Sequence, residues 1–455
     1  MLPFFLDTRR FRAMRILTLL FVAMLAPGGQ LVAEDARPNV VLILSDDQGW
    51  PDYGFMGHDT IETPHLDQLA ARSVVFRRGY VPSPLCRPSL ASIVTGLYPH
   101  QHGVCSNDVD PSRRAESDAP VRAQFHKHPS LVRRLVDSGY LAFQSGKWWE
   151  GSYRDGGFTD GMTLGDPARG GRHGDRGLAI GRRGMKPITD FIDEAVERSR
   201  PFFVWYAPFL PHTPHTPPRG LLDKYTTPGR PANVAKYYAM CDWFDQTCGT
   251  LIDHLDAAGA AENTLVLYAC DNGWAPVDPA ADNPPGWWND YAPRSKGSPF
   301  ERGVRTPIMI SWPGRVEPAD SPDLATTLDL MPTTLKACGL QPPAGLPGLD
   351  LLDPDARASR DAVFGGAWSI HNSTPGDPMA TLQYRWCVGK RWKLLVRHRG
   401  TDTTRYRTVH EWDREAIRLY DMAADPNEQD NQAGAFPGTV RELTAKIDAV
   451  LPMPE

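Results

Sequence analysis

The sequence predicts an α/β fold: a mixed central sheet with helices on both faces, followed by a small antiparallel sheet packed with one helix. Short apolar runs rich in β-branched and aromatic residues predict buried strands, at 39–45, 140–146, 202–208, 264–270 and 307–312. Between them, apolar residues recur at helical spacing, in 63–73, 128–139, 188–199, 234–259 and 324–339. Strands that alternate with helices are typical of a sheet enclosed by two helical layers.

The character of the sequence changes after about residue 340, where a Pro- and Gly-rich connection begins. The segments 384–398 and 417–433 then predict a small antiparallel sheet, and 439–451 predicts one amphipathic helix. We therefore expect a large α/β domain over 34–345 and a C-terminal α+β subdomain over 346–455.

The first 33 residues have the features of a secretory signal peptide. Four arginines precede the apolar run at 16–26, and small residues follow up to a plausible cleavage site near Ala33. The alternative is a membrane anchor, but 11 apolar residues fall short of the roughly 20 that span a bilayer. We expect an exported protein, periplasmic or extracellular, that does not span the membrane.

Composition excludes some classes of protein but does not decide how the cysteines are paired. The 455-residue chain is 41% hydrophobic and 23% charged with a formal net charge of −5, which is typical of a globular protein without a nucleic-acid partner. It has seven cysteines, and their spacing fits no structural zinc site. Seven is an odd number, so at least one cysteine is unpaired or modified, and the disulfide pairing stays open.

Acidic residues follow two of the predicted strands. Asp46 and Asp47 come directly after the first, and Asp271 and Asn272 follow the strand at 264–270. Carboxyl ends of parallel strands share one edge of a sheet, and carboxylates gathered there repel unless a cation joins them. Oxygen ligands favour Ca²⁺ or Mg²⁺. The alternative is that these residues only cap strand ends in turns.

Cys86 lies at the predicted start of a helix, because Pro88 suits a first helical turn. A helix N-terminus favours an anion, so a thiolate there would be activated. The alternatives are a disulfide with Cys105 or an inert buried thiol.

Three basic residues also follow predicted strands or lie in loops between them: Lys147, His212 and Lys296. Each alone is more often a solvated surface charge. Together with a divalent metal and a helix N-terminus, they fit a tetrahedral oxyanion such as sulfate or phosphate.

Seven motifs occur here in the order found in one enzyme family. They are "DDQGW", "CRPSLASIVTG", "GLYPHQHGV", "GKWW", "PHTP", "DNG" and "SKGSPFERGVRTP". In this the chain resembles type I sulfatases of the alkaline phosphatase superfamily, over nearly its whole length after the signal peptide. The tail "LYDMAADPNEQDNQA" resembles their C-terminal subdomain. The resemblance implies an alkaline-phosphatase-like α/β/α sandwich.

The resemblance also implies a chemistry. A formylglycine-generating enzyme would oxidise Cys86 to Cα-formylglycine, whose hydrate offers a hydroxyl as the nucleophile and then releases sulfate by elimination. The metal, Ca²⁺ rather than Mg²⁺, would be bound by Asp46, Asp47, modified Cys86, Asp271 and Asn272. Sulfate oxygens would be held by Lys147, His212 and Lys296, and one of the last two would assist departure of the alcohol.

The sequence thus predicts an exported sulfuric ester hydrolase, arylsulfatase-like, that acts on a sulfated small molecule or glycan, with carbohydrate sulfate esters favoured. One alternative is a phosphodiesterase or phosphonate monoester hydrolase on the same scaffold. Another is a catalytically impaired relative that binds sulfoglycans.

Two positions depart from the family pattern. The family motif is Cys-x-Pro-Ser-Arg, but the arginine is replaced by Leu90. The family motif Gly-Lys-Trp-His ends here in Trp149. We expect another histidine to replace the missing one as base, with His102, His173 and His215 as candidates.

Two loops are candidates for substrate contacts. The segment 154–177 is rich in arginine and could bind further sulfates or carboxylates. The loop 272–297 has aromatic residues that could stack on sugar faces or simply pack within the loop: Trp274, Trp287, Trp288 and Tyr291.

Overall fold

The computed structural model describes residues 37–453, apart from 111–117, 166–173, 279–280, 282, 285–286, 288 and 401–412. The predicted signal peptide lies outside the described residues, and so do His173, Trp288 and part of the arginine-rich segment. The described residues belong to one compact unit that begins at Arg37. None of the described helices combines the length and apolar composition needed to cross a bilayer.

Eight strands of the described chain form the main sheet. They are β1 Asn39–Ser45, β2 Val74–Tyr80, β3 Leu141–Gly146, β4 Asp160–Gly161, β5 Phe202–Ala207, β6 Thr264–Cys270, β7 Arg305–Ser311 and β8 Ala319–Thr326. Their order is β4-β3-β5-β1-β6-β7-β2-β8. Because β7 pairs antiparallel with both of its neighbours while the other pairs are parallel, the sheet is mixed, which confirms the predicted fold class.

Helices cover both faces of this sheet, in or near the predicted positions. The α-helices of the described residues are Pro64–Ala71, Cys86–Thr95, Pro99–His102, Ala119–Phe125, Leu131–Asp137, Lys186–Glu197, Arg219–Tyr225, Ala232–Ala257, Glu301–Val304, Leu330–Ala337, Pro354–Ser359 and Pro437–Val450.

The two faces of β1 show how the sandwich holds together. Successive side chains of a strand point to opposite faces. Leu42 therefore packs with Ile93 of the helix Cys86–Thr95 on one face. Ile43 packs with Phe244 of the helix Ala232–Ala257 on the other. All four side chains are fully buried, and each contributes roughly 1.5–3 kcal/mol through its apolar area.

The prediction of one helix over 324–339 is wrong in its first part. Residues up to Thr326 belong to β8, Thr327–Asp329 forms a 3₁₀ turn, and the α-helix is only Leu330–Ala337. Asp329 explains the break, because its carboxylate accepts from the N–H of Thr326 and pairs with Arg360. The strand β8 exists through its pairing with β2.

The second sheet has four antiparallel strands among the described residues. They are β9 Ala362–Trp368, β10 Leu382–Gly389, β11 Trp392–Arg397 and β12 Ile417–Asp421. Leu443 and Ile447 of the C-terminal helix Pro437–Val450 pack on it, against Leu394 and Leu419. The predicted small sheet with one helix is confirmed, whereas the boundary at 345/346 stays a prediction.

A buried ion cluster attaches the second sheet to the main one. Lys393 of β11 is fully buried, and its Nζ lies 2.9 Å from Glu301 and 2.8 Å from Glu428. Glu428 also accepts from the N–H of Glu301 at 2.7 Å. Since Glu301 follows Lys296 closely in the chain, this cluster fixes the segment that carries a predicted site residue.

Candidate active site

Two parallel neighbouring strands bring the four predicted oxygen ligands together. Ser45 of β1 is in register with Cys270 of β6, so Asp46 and Asp47 continue beside Asp271. The N–H of Asp47 donates to Oδ1 of Asp271 at 3.3 Å. The Nδ2 of Asn272 donates to Oδ1 of Asp47 at 2.6 Å. The strand-end residues thus form one buried polar cluster.

Cys86 begins the helix Cys86–Thr95, as predicted, and it faces this cluster. Its Sγ lies 4.0 Å from Oδ1 of Asp47 and 3.3 Å from Nζ of Lys296. Burial raises the pKa of the Cys86 thiol to about 12, although Lys147 and Lys296 oppose the shift. Burial thus opposes an activated thiolate in the unmodified side chain.

The disulfide alternative is also wrong. All seven cysteines lie within the described residues, and all are free and buried. The Sγ of Cys105 instead donates to the carbonyl of Pro99 at 3.5 Å. Among the alternatives for the unmodified Cys86, the structure has the buried thiol.

Two buried ammonium groups balance the carboxylates. Lys147 follows β3, and its Nζ lies 2.5 Å from Oδ1 of Asp46 and 3.7 Å from Oδ2 of Asp271. The Nζ of Lys296 lies 2.6 Å from each carboxylate oxygen of Asp47. Burial favours neutral amines, but the adjacent carboxylates outweigh it and raise the pKa of both lysines. Both side chains are therefore cations within the site.

His212 completes the basic set from the loop after β5. Its Nε2 lies 3.3 Å from Oδ2 of Asp47, and its Nδ1 donates to the carbonyl of Thr213 at 2.5 Å. The ring stacks on Phe209 with centroids 4.3 Å apart. Burial, helped by the two lysines, lowers the pKa of His212 well below its usual value despite Asp47. The Nε2 of His212 thus faces the cluster.

The cluster has the donor atoms that a hard cation requires. Three buried oxygen atoms make no hydrogen bond to any described residue: Asp46 Oδ2, Asp271 Oδ2 and Asn272 Oδ1. Burial and repulsion between the carboxylates raise the pKa of Asp46 and of Asp271. Buried polar atoms are normally satisfied, and a divalent cation bound to these oxygens would satisfy them.

Geometry alone selects a slightly different set of ligands. The potential donor atoms of Asp46, Asp47, Cys86 and His212 lie within 4.8 Å of one another. In the structure His212 thus shares the space around Asp47 with the predicted ligands. We favour the oxygen set, because His212 already stacks on Phe209 and donates to a carbonyl, whereas Asp271 and Asn272 carry unsatisfied oxygens.

The three candidate bases fare differently. His102 is fully buried, its Nε2 lies 3.0 Å from Oγ of Ser92, and its Nδ1 accepts from the N–H of Val104. Both ring nitrogens are engaged, which argues against His102 as the base. His215 lies against Trp274, with ring centroids 5.2 Å apart, and burial lowers its pKa to about 4. His215 stays a candidate, and His173 lies outside the described residues.

Leu90, at the position of the family arginine, is an ordinary core residue. It is 5% exposed and packs in the apolar cluster beneath the sheet. The nearby cation is Arg87, whose guanidinium binds both oxygens of Glu150, at 2.7 and 3.1 Å, and lies 3.3 Å from Asp118. This guanidinium joins the first turn of the Cys86 helix to the segment that follows Lys147.

Trp149, at the position of the family histidine, covers Lys147. The Nζ of Lys147 lies 5.3 Å from the centroid of the Trp149 ring, within the range of a cation–π contact. The Phe209 ring lies at a similar distance, 5.4 Å. Aromatic faces thus limit the access of water to this lysine.

Arg182 is a site-building residue that sequence reasoning missed. Its guanidinium donates to the carbonyls of Phe209 and His212, each at 2.8 Å, and to Oγ1 of Thr216 at 3.1 Å. It therefore shapes the loop that presents His212. No local pattern identifies such a residue, because its partners lie about 30 positions away in the chain.

The loop 272–297 contributes less aromatic surface than expected. Trp274 is 3% exposed and packs with Ile61 and Tyr237 in the core, so stacking on a sugar is wrong for this residue. Trp287 is partly exposed, and its Nε1 donates to the carbonyl of Tyr291 at 2.8 Å. Trp287 and Tyr291 stay candidates for a sugar contact.

Comparison with known proteins identifies the family. Residues 38–340 match the family described as "Sulfatase", and residues 294–451 match "N-sulphoglucosamine sulphohydrolase, C-terminal". The chain is 28% identical to human arylsulfatase A over 89% of its own length and 85% of that protein. It is 30% identical to N-acetylgalactosamine-6-sulfatase from Canis lupus familiaris over 73% of its own length and 69% of that protein.

Solved structures support the fold. "Ps i-CgsB" superposes with a TM-score of 0.71 at 22% identity, covering 91% of this chain and 92% of that one. A structure in complex with its substrate D-glucosamine-2-N,6-O-disulfate superposes with a TM-score of 0.65 at 18% identity, covering 91% and 97%. With the sulfatase match over residues 38–340, the chain belongs to the sulfatase family and is a sulfuric ester hydrolase.

Proposed function

We propose that this protein is an exported sulfatase that hydrolyses sulfate esters of a carbohydrate, with Cys86 converted to Cα-formylglycine and Ca²⁺ bound beside it. One observation carries the proposal. Three buried oxygens that make no hydrogen bond to a described residue lie in the same cluster as two buried lysines and the side chain of Cys86. Such a cluster offers both a place for a cation and cations for an oxyanion.

The metal would be held by Asp46, Asp47, Asp271 and Asn272, together with modified Cys86. When bound, Ca²⁺ would polarise the nucleophile and one oxygen of the sulfate. The thiol of unmodified Cys86 is a soft donor and suits such an ion poorly. Its replacement by an oxygen function would make the ligand set uniformly hard, which supports the proposed modification. Ca²⁺ accepts irregular ligand geometry more readily than Mg²⁺ does.

Cα-formylglycine, as its hydrate, would supply the hydroxyl that attacks sulfur and later releases sulfate. The chain positions this group through the first turn of the helix that begins at Cys86. Lys296 Nζ already lies 3.3 Å from the Sγ that the modification would replace. A permanent cation at that distance favours the anionic form of whatever nucleophile occupies the position.

Lys147 and Lys296 would bind the remaining sulfate oxygens. Both keep their protons, since the adjacent carboxylates raise the pKa of each. Fixed cations in a buried site stabilise the charge that develops on the oxygens in the transition state. His212 lies in the same cluster, with Nε2 3.3 Å from Oδ2 of Asp47, and would contact the sulfate as well. One of Lys296 and His212 would assist departure of the alcohol.

A carbohydrate substrate is supported by the relatives. The named substrates include an N-acetylgalactosamine 6-sulfate in one curated relative and D-glucosamine-2-N,6-O-disulfate in one solved structure. Trp287 and Tyr291 on the loop 272–297 offer partly exposed rings for a sugar face. Export is supported by the composition of residues 1–33.

Coexpression with a formylglycine-generating enzyme tests the chemistry. Mass analysis of the Cys86 peptide should show the lighter aldehyde form. The protein should release sulfate from 4-nitrophenyl sulfate and from N-acetylgalactosamine 6-sulfate or D-glucosamine-2-N,6-O-disulfate. The matched control is Cys86→Ala, which should bind calcium more weakly and release no sulfate.

Three results would contradict the proposal. Faster turnover of 4-nitrophenyl phosphate than of any sulfate ester would favour the phosphoester hydrolase alternative. An unmodified thiol in protein from the native host, with binding of sulfated sugars and no turnover, would favour the binding relative. A mature N-terminus at Met1 in the native host would contradict export through the proposed signal peptide.

A further inference from the structure

The turn between β9 and β10 lies beside the candidate active site, although it comes from the C-terminal part of the chain. The N–H of Asn107 donates to the carbonyl of Ile370 in this turn at 3.1 Å. The side-chain oxygen of Asn107 accepts from the N–H of Arg87 at 3.1 Å. Since Arg87 follows Cys86 directly, one asparagine joins the turn to the helix that bears the proposed nucleophile.

The same turn also contacts the segment of Lys296. A Cβ placed on Gly297 would lie 3.1 Å from Cδ1 of Ile370, so Ile370 packs closely against this glycine. The N–H of Gly297 in turn donates to the carbonyl of Pro84 at 2.9 Å, just before Cys86. The turn therefore lies against both segments that frame the proposed sulfate site.

His371 is the residue that this turn presents. Its Nδ1 lies 2.5 Å from Oδ2 of Asp108, and the side chain of His371 is 42% exposed while that of Asp108 is fully buried. The N–H groups of Asn372 and Ser373 both donate to the carbonyl of Asp108 at 3.0 Å. Asp108 thus fixes the backbone of the turn and the ring of His371 together.

The hydrogen bond to Asp108 sets the direction of the other ring nitrogen. With Nδ1–H donating to the carboxylate, Nε2 is the ring nitrogen left for another partner. No described residue forms a hydrogen bond with this Nε2. A histidine on a surface far from the candidate active site would share these features. Here, however, the turn is joined to the neighbours of Cys86 and of Lys296.

We propose that His371 is a substrate-binding residue of this sulfatase, whose Nε2 contacts a hydroxyl group of the sugar that carries the scissile sulfate, and that Asp108 is its positioning residue. This rests on the proposed function, because it requires a sugar sulfate as the substrate.

A hydroxyl fits the pair better than a second sulfate does. The Asp108 carboxylate offsets the charge of a protonated His371, so the pair offers no net positive charge to an anion. An oriented imidazole can donate to or accept from a hydroxyl, which itself has both capacities. The pair therefore selects for a neutral polar group near the scissile sulfate.

Two matched substitutions separate substrate contact from structural support. His371→Asn keeps an amide N–H near the position of Nδ1 for Asp108 and removes Nε2. His371→Gln places an amide near the position of Nε2 and gives up the short contact with Asp108. The substrates are 4-nitrophenyl sulfate, which has no sugar hydroxyl, and whichever sugar sulfate of the earlier panel the wild type hydrolyses fastest.

We expect His371→Asn to lower kcat/KM for the sugar sulfate about 3- to 10-fold, as the loss of one hydrogen bond does, and to leave turnover of 4-nitrophenyl sulfate unchanged. His371→Gln should retain more sugar activity than His371→Asn does. Asp108→Asn, which loosens the ring, should lower kcat/KM for the sugar alone.

A deoxy substrate completes the test. A sugar sulfate that lacks the contacted hydroxyl should lose activity with the wild type and show no further loss with His371→Asn, because the two changes remove the same contact.

Several outcomes would overturn the inference. The first is an unchanged kcat/KM for the sugar sulfate in His371→Asn, and the second is an equal loss of kcat/KM on the sugar sulfate and on 4-nitrophenyl sulfate. The third is a loss of kcat/KM that is confined to disulfated sugars. The fourth is that the loss caused by His371→Asn adds to the loss caused by removal of a hydroxyl, for every monodeoxy sugar sulfate. By contrast, a wild type that hydrolyses no sulfate ester would overturn the proposed function itself, and with it the premise of this inference.

Discussion

Lys296 and Cys86 are in direct contact, with Nζ 3.3 Å from Sγ, although 210 positions separate them in the chain. The same Nζ lies 2.6 Å from both carboxylate oxygens of Asp47. One buried ammonium group thus touches both the proposed nucleophile position and a proposed metal ligand. The charge of Lys296 therefore acts both on the proposed nucleophile and on a proposed ligand of the metal.

Replacement of Lys296 by Met should therefore lower turnover. Loss of one fixed charge donor in a buried catalytic site lowers kcat by about 10²- to 10³-fold. The measurement is kcat for 4-nitrophenyl sulfate with Cys86 modification verified in each sample. Lys186→Met is the control, because the side chain of Lys186 is 82% exposed. An unchanged kcat in Lys296→Met would contradict the proposed role.

Removal of the metal should destabilise the protein. A ligand that binds only the folded state at about 100 times its Kd contributes about 2.7 kcal/mol, so a chelator should lower Tm, and Ca²⁺ should restore it better than Mg²⁺. Asp271→Asn should lower the bound calcium, measured by elemental analysis. Asp190→Asn, a change on an exposed helix surface, is the control. A Tm that does not respond to the chelator in the wild type would argue against a resident metal.

The strand-end part of the site was predictable from sequence because it depends on local patterns. An apolar run followed at once by acidic residues identifies both a buried strand and the position of its carboxyl end. Since β1 and β6 are parallel neighbours, the residues that follow them, Asp46 and Asp271, lie at the same edge of the sheet. The apolar run of β3 likewise places Lys147 at the same edge of the sheet.

Other features were not predictable because their partners are distant in the chain. The strand β8, Ala319–Thr326, has little apolar character and forms through pairing with β2. His102 has the residue type of a base, but its two ring nitrogens are used by Ser92 and Val104. The turn at His371 reaches the site only because the second sheet packs beside it. No local sequence pattern predicts contacts between residues that are so far apart in the chain.

The ion pair between Arg87 and Glu150 should be important for stability. Both side chains are buried, at 1% and 4% exposure, and removal of one partner leaves an uncompensated charge, which typically costs about 3–5 kcal/mol. Glu150→Gln should lower the free energy of unfolding toward this range, measured by urea denaturation. Asp118, 3.3 Å from Arg87, keeps part of the compensation, so the lower end is expected.

A surface pair provides the comparison. Glu194 and Arg198 form an exposed ion pair one turn apart on a helix, and Glu194→Gln should cost about 0.5 kcal/mol or less. If Glu150→Gln has the same small effect, the buried pair does not contribute as argued. A double-mutant cycle with Arg87→Met should show strong coupling between Arg87 and Glu150.

Asp52 should make the stability of the fold depend on pH. Burial raises the pKa of its carboxyl from 3.8 to about 6, against the opposing hydrogen bond from Tyr237 at 2.6 Å. The folded state therefore favours the protonated carboxyl. Its contribution to stability is fully present below pH 3.8 and is lost as the pH rises through about 6. The imidazole of His58 faces the same carboxylate, with Nε2 at 4.0 Å.

Asp52→Asn removes this titration. The free energy of unfolding of the variant minus that of the wild type should increase between pH 4 and pH 7, by up to about 3 kcal/mol at roughly 1.4 kcal/mol per pH unit. Tyr237→Phe, which removes the donor to the ionised form, should move the upper end of the transition to higher pH. Urea denaturation over this range measures both effects. A difference between Asp52→Asn and the wild type that stays constant with pH would show that the carboxyl of Asp52 titrates alike in the folded and unfolded chains.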